Sequence, residues 1–246
     1  MAMTERVARL RQQSLEAVPT LSTERAELLT EFYRQHTELT SMPVKRALAF
    51  HYLLTHKAID LGDGELIVGE KGPAPKATPT YPELCCHTLE DLDILDSRDK
   101  IPFKVSPQAR QLYAGRGRTM RELIFREMTG EWLAAYQAGV FTEFMEQRSP
   151  GHTVLDDKIY HKGMEEFKAE IRRSLAGLDY QNDPQAYARQ EELKAMLICA
   201  DALIAFAHRH ADKALALAHQ EADPQRRAEL ERIARVGMVQ NWLTLL

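Results

Sequence analysis

The sequence predicts a mostly helical fold with one or two short strands at most. Three observations carry that expectation. Apolar residues recur three and four positions apart through most of the chain, which is the period of a helix with one buried face. Glycines and prolines gather in one place, residues 62–82, so irregular structure is concentrated there. Only one short apolar run between glycines, Leu66 to Val68, reads as a brief buried strand.

Taken in order, the first helix covers residues 5–17, an amphipathic and highly charged stretch. A second opens with Ser22 as its N-cap and runs through Ala26, Leu29, Phe32 and Tyr33 at helical spacing. A third starts after Pro43, a residue suited to a first helical turn, and carries Val44, Ala47, Leu48, His51, Tyr52 and Leu54. Residues 69–82, with two glycines and four prolines, are expected to form an extended loop without regular structure. Thr88 followed by Asp91 spells a capping box for a short helix through Leu95. Ser106-Pro107 starts another helix, which breaks at Gly115 and Gly117. One helix then runs from about Arg118 through Met128, Trp132 and Tyr136, and Gly139 ends it. Helices follow at 161–178, 184–221 and 225–235. In the long one, Leu193, Met196, Leu197, Ala200, Leu203, Ile204 and Ala207 form the apolar face. Internal repeats and low-complexity segments are absent from the sequence.

The bulk properties narrow the function. The 246 residues are 28% charged and 44% hydrophobic, ordinary values for a soluble globular protein with a sizeable core. A formal net charge of −4 gives no electrostatic reason to expect a nucleic acid or an anionic membrane as partner. There is no run of eighteen apolar residues to span a bilayer and no apolar stretch of a secretory signal at the start. Three cysteines, two of them adjacent, do not make a disulfide framework, and a reducing cytoplasm is expected.

Few residue patterns point to chemistry. Cys85 and Cys86 beside His87 lack the spacing of a zinc site, and Cys199 lies far away in the long helix. His208 and His210 are two apart, do not share a helix face and are expected at the surface. His51 and His56 miss the i, i+4 spacing of a helical metal pair, so no metal site is expected. Gly62, Gly64, Gly69 and Gly72 do not spell a dinucleotide or P-loop fingerprint. The stretch FTEFMEQRSPGH, residues 141–152, stands apart. Glu143, Glu146, Arg148 and His152 offer carboxylate, guanidinium and imidazole, with Phe141 and Phe144 as an apolar wall. The same residues also fit a helix end with solvated charges and core phenylalanines. Residue chemistry does not choose between the two.

The segments GELIVGEKG, PTYPELCCHTLEDL and EWLAAYQAGVFTEFMEQRSPGHTVLDDKIYHKG resemble the N-terminal part of glycyl radical enzymes. The resemblance is to the pyruvate formate-lyase-like branch of C–O, C–N and C–S lyases that includes hydroxyproline dehydratases, and it covers residues 5–234. It implies the N-terminal helical portion of a ten-stranded α/β barrel. It also implies a small polar substrate, whose contacts fall on Phe144, His152 and Arg148. The family's radical is installed on a glycine by a radical-SAM activase that uses S-adenosylmethionine and an iron–sulfur cluster. A cysteine thiyl then takes a hydrogen atom from the substrate, and a group on the neighbouring carbon leaves. This chain itself is expected to bind no cofactor.

Neither a Gly-Cys-x-Glu nor an Arg-Val-Ser-Gly-Tyr signature occurs in the 246 residues, so no catalytic residue is assigned. Between Tyr113 and Arg118 the family's longer acidic stretch is reduced to AGRG. Residues 1–236 are expected to be the family portion, and 237–246, ending GMVQNWLTLL, an aberrant tail of the kind a frameshift or premature stop leaves. On this reading the chain is a truncated glycyl radical lyase or dehydratase, inactive and poorly soluble alone. The alternative is a stand-alone helical binding or regulatory module, or one half of a split enzyme. A complementing C-terminal half or a homodimer would be its partner.

Overall fold

The computed structural model describes residues 3–36, 40–70, 72–80, 88–115, 129–140 and 156–238. The described chain is mostly helical, as the periodicity predicts. It divides into two compact units. The first comprises Met1–Glu31, Gly62–Glu65 and Gly69–His152, and the second Phe32–Leu61, Leu66–Val68 and Thr153–Leu246.

The first unit opens with α1 (Glu5–Glu16), capped by the Thr4 side chain, which accepts a hydrogen bond from the Val7 amide. Strand β1 (Thr20–Ser22) follows and leads into α2 (Glu24–Gln35), inside which the division between the units falls. Ser22 is therefore a strand residue and not the N-cap. The turn into α2 is made by Thr23, whose carbonyl accepts from the Glu27 amide and whose hydroxyl donates to the Glu27 carboxylate at 2.5 Å.

β1 pairs in parallel with β2 (Ala77–Pro79), with Leu21 opposite Thr78. The expected strand at Leu66 to Val68 does not form. Leu66 and Ile67 are 53% and 89% exposed, so their apolar character finds no sheet to join. The strand lies instead inside the glycine- and proline-rich stretch expected to be irregular. Three local features allow it. Pro75 precedes Lys76, which takes a φ of 56°, and the turn closes with the Ala77 amide donating to the Ala74 carbonyl at 3.0 Å. Gly72 lies so close to β2 that a β-carbon there would come 2.0 Å from the Ala77 carbonyl oxygen. The Thr80 amide donates to the Ser22 carbonyl, and strand alternation then turns the missing amide of Pro79 away from β1. On its other side β1 bridges Lys104: Leu21 donates to the Lys104 carbonyl and Lys104 to the Pro19 carbonyl.

Helices α4 (Leu89–Ser97) and α5 (Pro107–Ala114) complete a small core of Leu92, Val105 and Ala109, with Leu21, Leu95 and Tyr113 around it. Both helices start where the sequence says. In the Thr88 capping box, the Thr88 amide donates to Asp91 at 2.8 Å and the Asp91 amide donates to the Thr88 hydroxyl at 3.1 Å. Ser106 accepts from the Ala109 amide at 3.0 Å, with Pro107 in the first turn.

The single helix expected from Arg118 to Tyr136 is interrupted. Thr129 has extended backbone and caps a separate helix, α6 (Gly130–Gln137), by accepting from the Trp132 amide. Threonine before glycine favours the cap over a helix interior. Gly139 ends α6 as expected, with a φ of 71°. Gly139 and Val140 donate back to the Tyr136 and Ala135 carbonyls, the paired bonds of a Schellman motif.

The second unit is built on α8 (Ala186–Gln220), a 35-residue helix against which α3 (Met42–His56), α7 (Met164–Ala176) and α9 (Pro224–Met238) pack. A 3-10 turn at Asp156–Tyr160 precedes α7. His161 lies in the turn that follows, and α7 begins only after Gly163, whose amide donates to the Glu166 carboxylate at 2.7 Å. α3 runs parallel to α8. Ser41 at its start donates to Glu191 at 2.6 Å, and Arg209 donates to the Leu54 and Lys57 carbonyls at its end, each at 2.6 Å.

The buried face of α8 differs from the expected one. Apart from His210, its buried residues are all alanines: Ala186, Ala195, Ala200, Ala202, Ala207, Ala211, Ala214 and Ala218. Met196 and Leu203, assigned to the core by spacing, are 50% and 40% exposed. Close helix approach explains the choice. A β-carbon on Gly237 of α9 would lie 3.1 Å from both the Ala207 carbonyl oxygen and the Ala211 β-carbon. α9 itself runs through Met238, beyond the expected end at 235.

Candidate functional site

The three predicted substrate contacts, Phe144, Arg148 and His152, lie outside the described residues, as do Cys85, Cys86 and His87. Their flanks are set. α6 with its glycine stop leads into the first stretch, and the Thr88 capping box follows the second.

Among the described residues the first unit holds an open groove of about 470 Å³. Strand β1 forms one wall, Pro73 and Ala74 another, and Glu24, Glu27 and Glu31 of α2 line it. These carboxylates recur three and four apart, so the helix presents them on one face. Glu27 is held by the Thr23 hydroxyl. None of the sequence-predicted site residues lines this groove. Just past β2, the buried Thr80 hydroxyl has no hydrogen-bond partner among the described residues. Sequence reading did not single out these positions, because three glutamates on a helix also describe any solvated face.

The second unit contains several titratable groups shifted by their surroundings. His210 is 6% exposed, which corrects its expected surface position. Its Nδ1 faces the Phe206 carbonyl at 2.9 Å and its ring packs edge-on against Phe206. Burial pushes its pKa below the usual imidazole value, and the cations Lys57 and Arg209 push the same way. The two-residue spacing explains the contrast with His208, which is only partly covered. His36 and His56 repeat the local device, each stacked on the aromatic ring four residues earlier with Nδ1 near that residue's carbonyl.

Lys168 is buried between two carboxylates, Asp201 at 2.6 Å and Glu165 at 2.7 Å, and its pKa is raised by them in that order. Burial raises the Cys199 thiol, which makes it a weak nucleophile. Among the described residues, no group of three or more histidine, cysteine, aspartate or glutamate side chains gathers to hold a metal ion. Nor is any helix there long and apolar enough to cross a membrane.

Comparison with known proteins gives this scaffold its relatives. Trans-4-hydroxy-L-proline dehydratase of Clostridioides difficile is 46% identical over 236 residues, covering 94% of this chain and 30% of the relative. The crystal structure of the hydroxyproline dehydratase from Clostridioides difficile, with trans-4-hydroxy-L-proline bound, superposes with a TM-score of 0.82 at 45% identity. The match covers 97% of this chain and 31% of that one. The glycerol-bound B12-independent glycerol dehydratase from Clostridium butyricum gives 0.79 at 30% identity, covering 98% and 31%. The chain thus spans about 30% of the length of the curated relatives it matches. The family model described as pyruvate formate lyase-like matches residues 3–239, nearly the whole sequence, and the chain belongs to that family of glycyl radical enzymes.

Proposed function

We propose that this chain forms the N-terminal, helical part of a glycyl radical dehydratase or lyase acting on a small polar substrate, and contributes one wall of its pocket. The observation that carries the reading is the 46% identity to trans-4-hydroxy-L-proline dehydratase over 94% of the chain. In this reading Arg148 pairs with a substrate carboxylate through its two-pronged guanidinium. His152 donates a hydrogen bond or relays a proton. Phe144 excludes water from the reacting centre. The radical cysteine and glycine are supplied by sequence outside these 246 residues, and a radical-SAM activase generates the radical.

The test is complementation. The purified chain, incubated anaerobically with an activase, S-adenosylmethionine and reductant, is expected to show no glycyl radical doublet by electron paramagnetic resonance. Adding a polypeptide that carries the cysteine and glycine loops is expected to restore dehydration of trans-4-hydroxy-L-proline. Arg148→Ala and His152→Ala in the complemented system are expected to raise KM or abolish turnover. A doublet on this chain alone, or complemented turnover indifferent to both substitutions, would overturn the reading. Failure of every complement would favour a stand-alone helical binding module.

A further inference from the structure

The exposed side chains of α8 lie on the continuation of a track that α9 already occupies. Ala207 and Ala214 are buried, and they belong to a row spaced seven apart that continues backwards through Ala200 and Leu193. Seven residues make about two helical turns, so such a row keeps to one face. α9 runs antiparallel to α8. Ala234 packs with Ala211 and Ala214, while Gly237, further along α9, meets Ala207 and Ala211. The end of α9 therefore points along α8 toward Leu203 and Met196. These two flank the same row and are themselves seven apart. They are 40% and 50% exposed, and Met238 at the end of α9 is 42% exposed. Three large apolar side chains are thus left open in the line along which α9 travels, all within the second unit.

We infer that this uncovered face of α8 is a docking site for the segment that follows α9 directly, residues 239–246. Three features select that occupant. The segment begins where the open track begins. Its sequence, VQNWLTLL, places Trp242, Leu243, Leu245 and Leu246 together with no charged side chain among the eight. Its reach also fits. The track from Ala207 to Met196 is roughly 16 Å at the rise of an α-helix. Eight extended residues span about 26 Å. Cys199 lies three residues from Met196 and four from Leu203, on the adjoining part of the same face. Bound there, the segment replaces water over Met196 and Leu203 with tryptophan and leucine side chains.

The full chain supplies its own reporter, because its only tryptophans are Trp132 and Trp242. In a Trp132→Phe variant, Trp242 fluorescence is expected to be blue-shifted and shielded from acrylamide relative to the same protein in denaturant. Adding Met196→Lys and Leu203→Lys is expected to shift that emission to the red and remove the shielding, with helicity by circular dichroism unchanged. A second readout uses Cys199 in a Cys85→Ser, Cys86→Ser background. Removing residues 239–246 is expected to speed its reaction with a thiol reagent. Trp242 quenched as readily as in the unfolded chain overturns the inference. So does emission indifferent to the two lysines, and so does shielding that disappears on dilution, which assigns the face to a second copy.

Discussion

Lys168 on α7 reaches Asp201 on α8 at 2.6 Å, and it does so from a position almost removed from water. Asp201 is about half exposed, so the pair lies between a surface bridge and a buried one. Replacing the lysine by methionine keeps the stem and removes the charge. Lys168→Met is expected to destabilise the second unit by about 1–2 kcal/mol, read by urea unfolding at neutral pH. The raised lysine pKa sets the sign of the pH dependence. The contribution is whole below the unfolded lysine value and is lost as pH climbs through the folded one, so wild type and variant converge at strongly alkaline pH.

Gly72→Ala tests the route by which β2 forms. The added methyl meets backbone at the Ala77 carbonyl, which has no rotamer to yield. A loss of about 2–3 kcal/mol is expected, with earlier proteolysis near residues 73–79 in limited digestion. Unchanged stability would mean that the turn relaxes around the new carbon.

Ile101→Asn is expected to act in the other direction. Ile101 holds a φ of 53° while 71% exposed, so a β-branched residue bears left-handed strain with little burial in return. Asparagine tolerates that conformation. A gain of about 1 kcal/mol, seen as a higher thermal midpoint, is expected.

His210 gives the acid side of the stability profile. Its folded pKa lies below the unfolded value of about 6.5, so the unfolded chain binds the extra proton first. The contribution is whole above that value and is lost as pH falls from it toward the folded pKa. A neutral glutamine has nothing to titrate. His210→Gln is expected to flatten the fall in urea midpoint between pH 7 and pH 5, and an unchanged slope would show that another group governs it.

Much of the helical framework was legible because helix ends are written locally. Thr88 with Asp91, Ser106-Pro107 and Gly139 each stop or start a helix through bonds to residues within four positions. The strands were not legible for the opposite reason. Leu21 and Thr78 pair across 57 positions, in three-residue strands too short for an alternation to show. Leu66 and Ile67 misled because apolar character does not reveal whether a partner exists. Along α8 the period was right and size mattered: close approach by Gly237 requires small residues at Ala207 and Ala211, while Met196 and Leu203 lie outside the core. Thr129 shows a cap overruling a period that ran on through it. The candidate pocket residues Phe144, Arg148 and His152 came from resemblance rather than periodicity, since their charges suit a solvated helix end equally well.

The turn before β2 has a consequence for how this protein meets other chains. A short parallel pair ordinarily leaves a row of amides open to any passing strand. Here the Ala77 amide is spent on Ala74, the Thr80 amide on Ser22, and Pro79 has none to offer. The opposite flank of β1 is taken by Lys104. Among the described residues, neither Ala77 nor Pro79 is left with an amide to offer a strand arriving at the outer edge of β2.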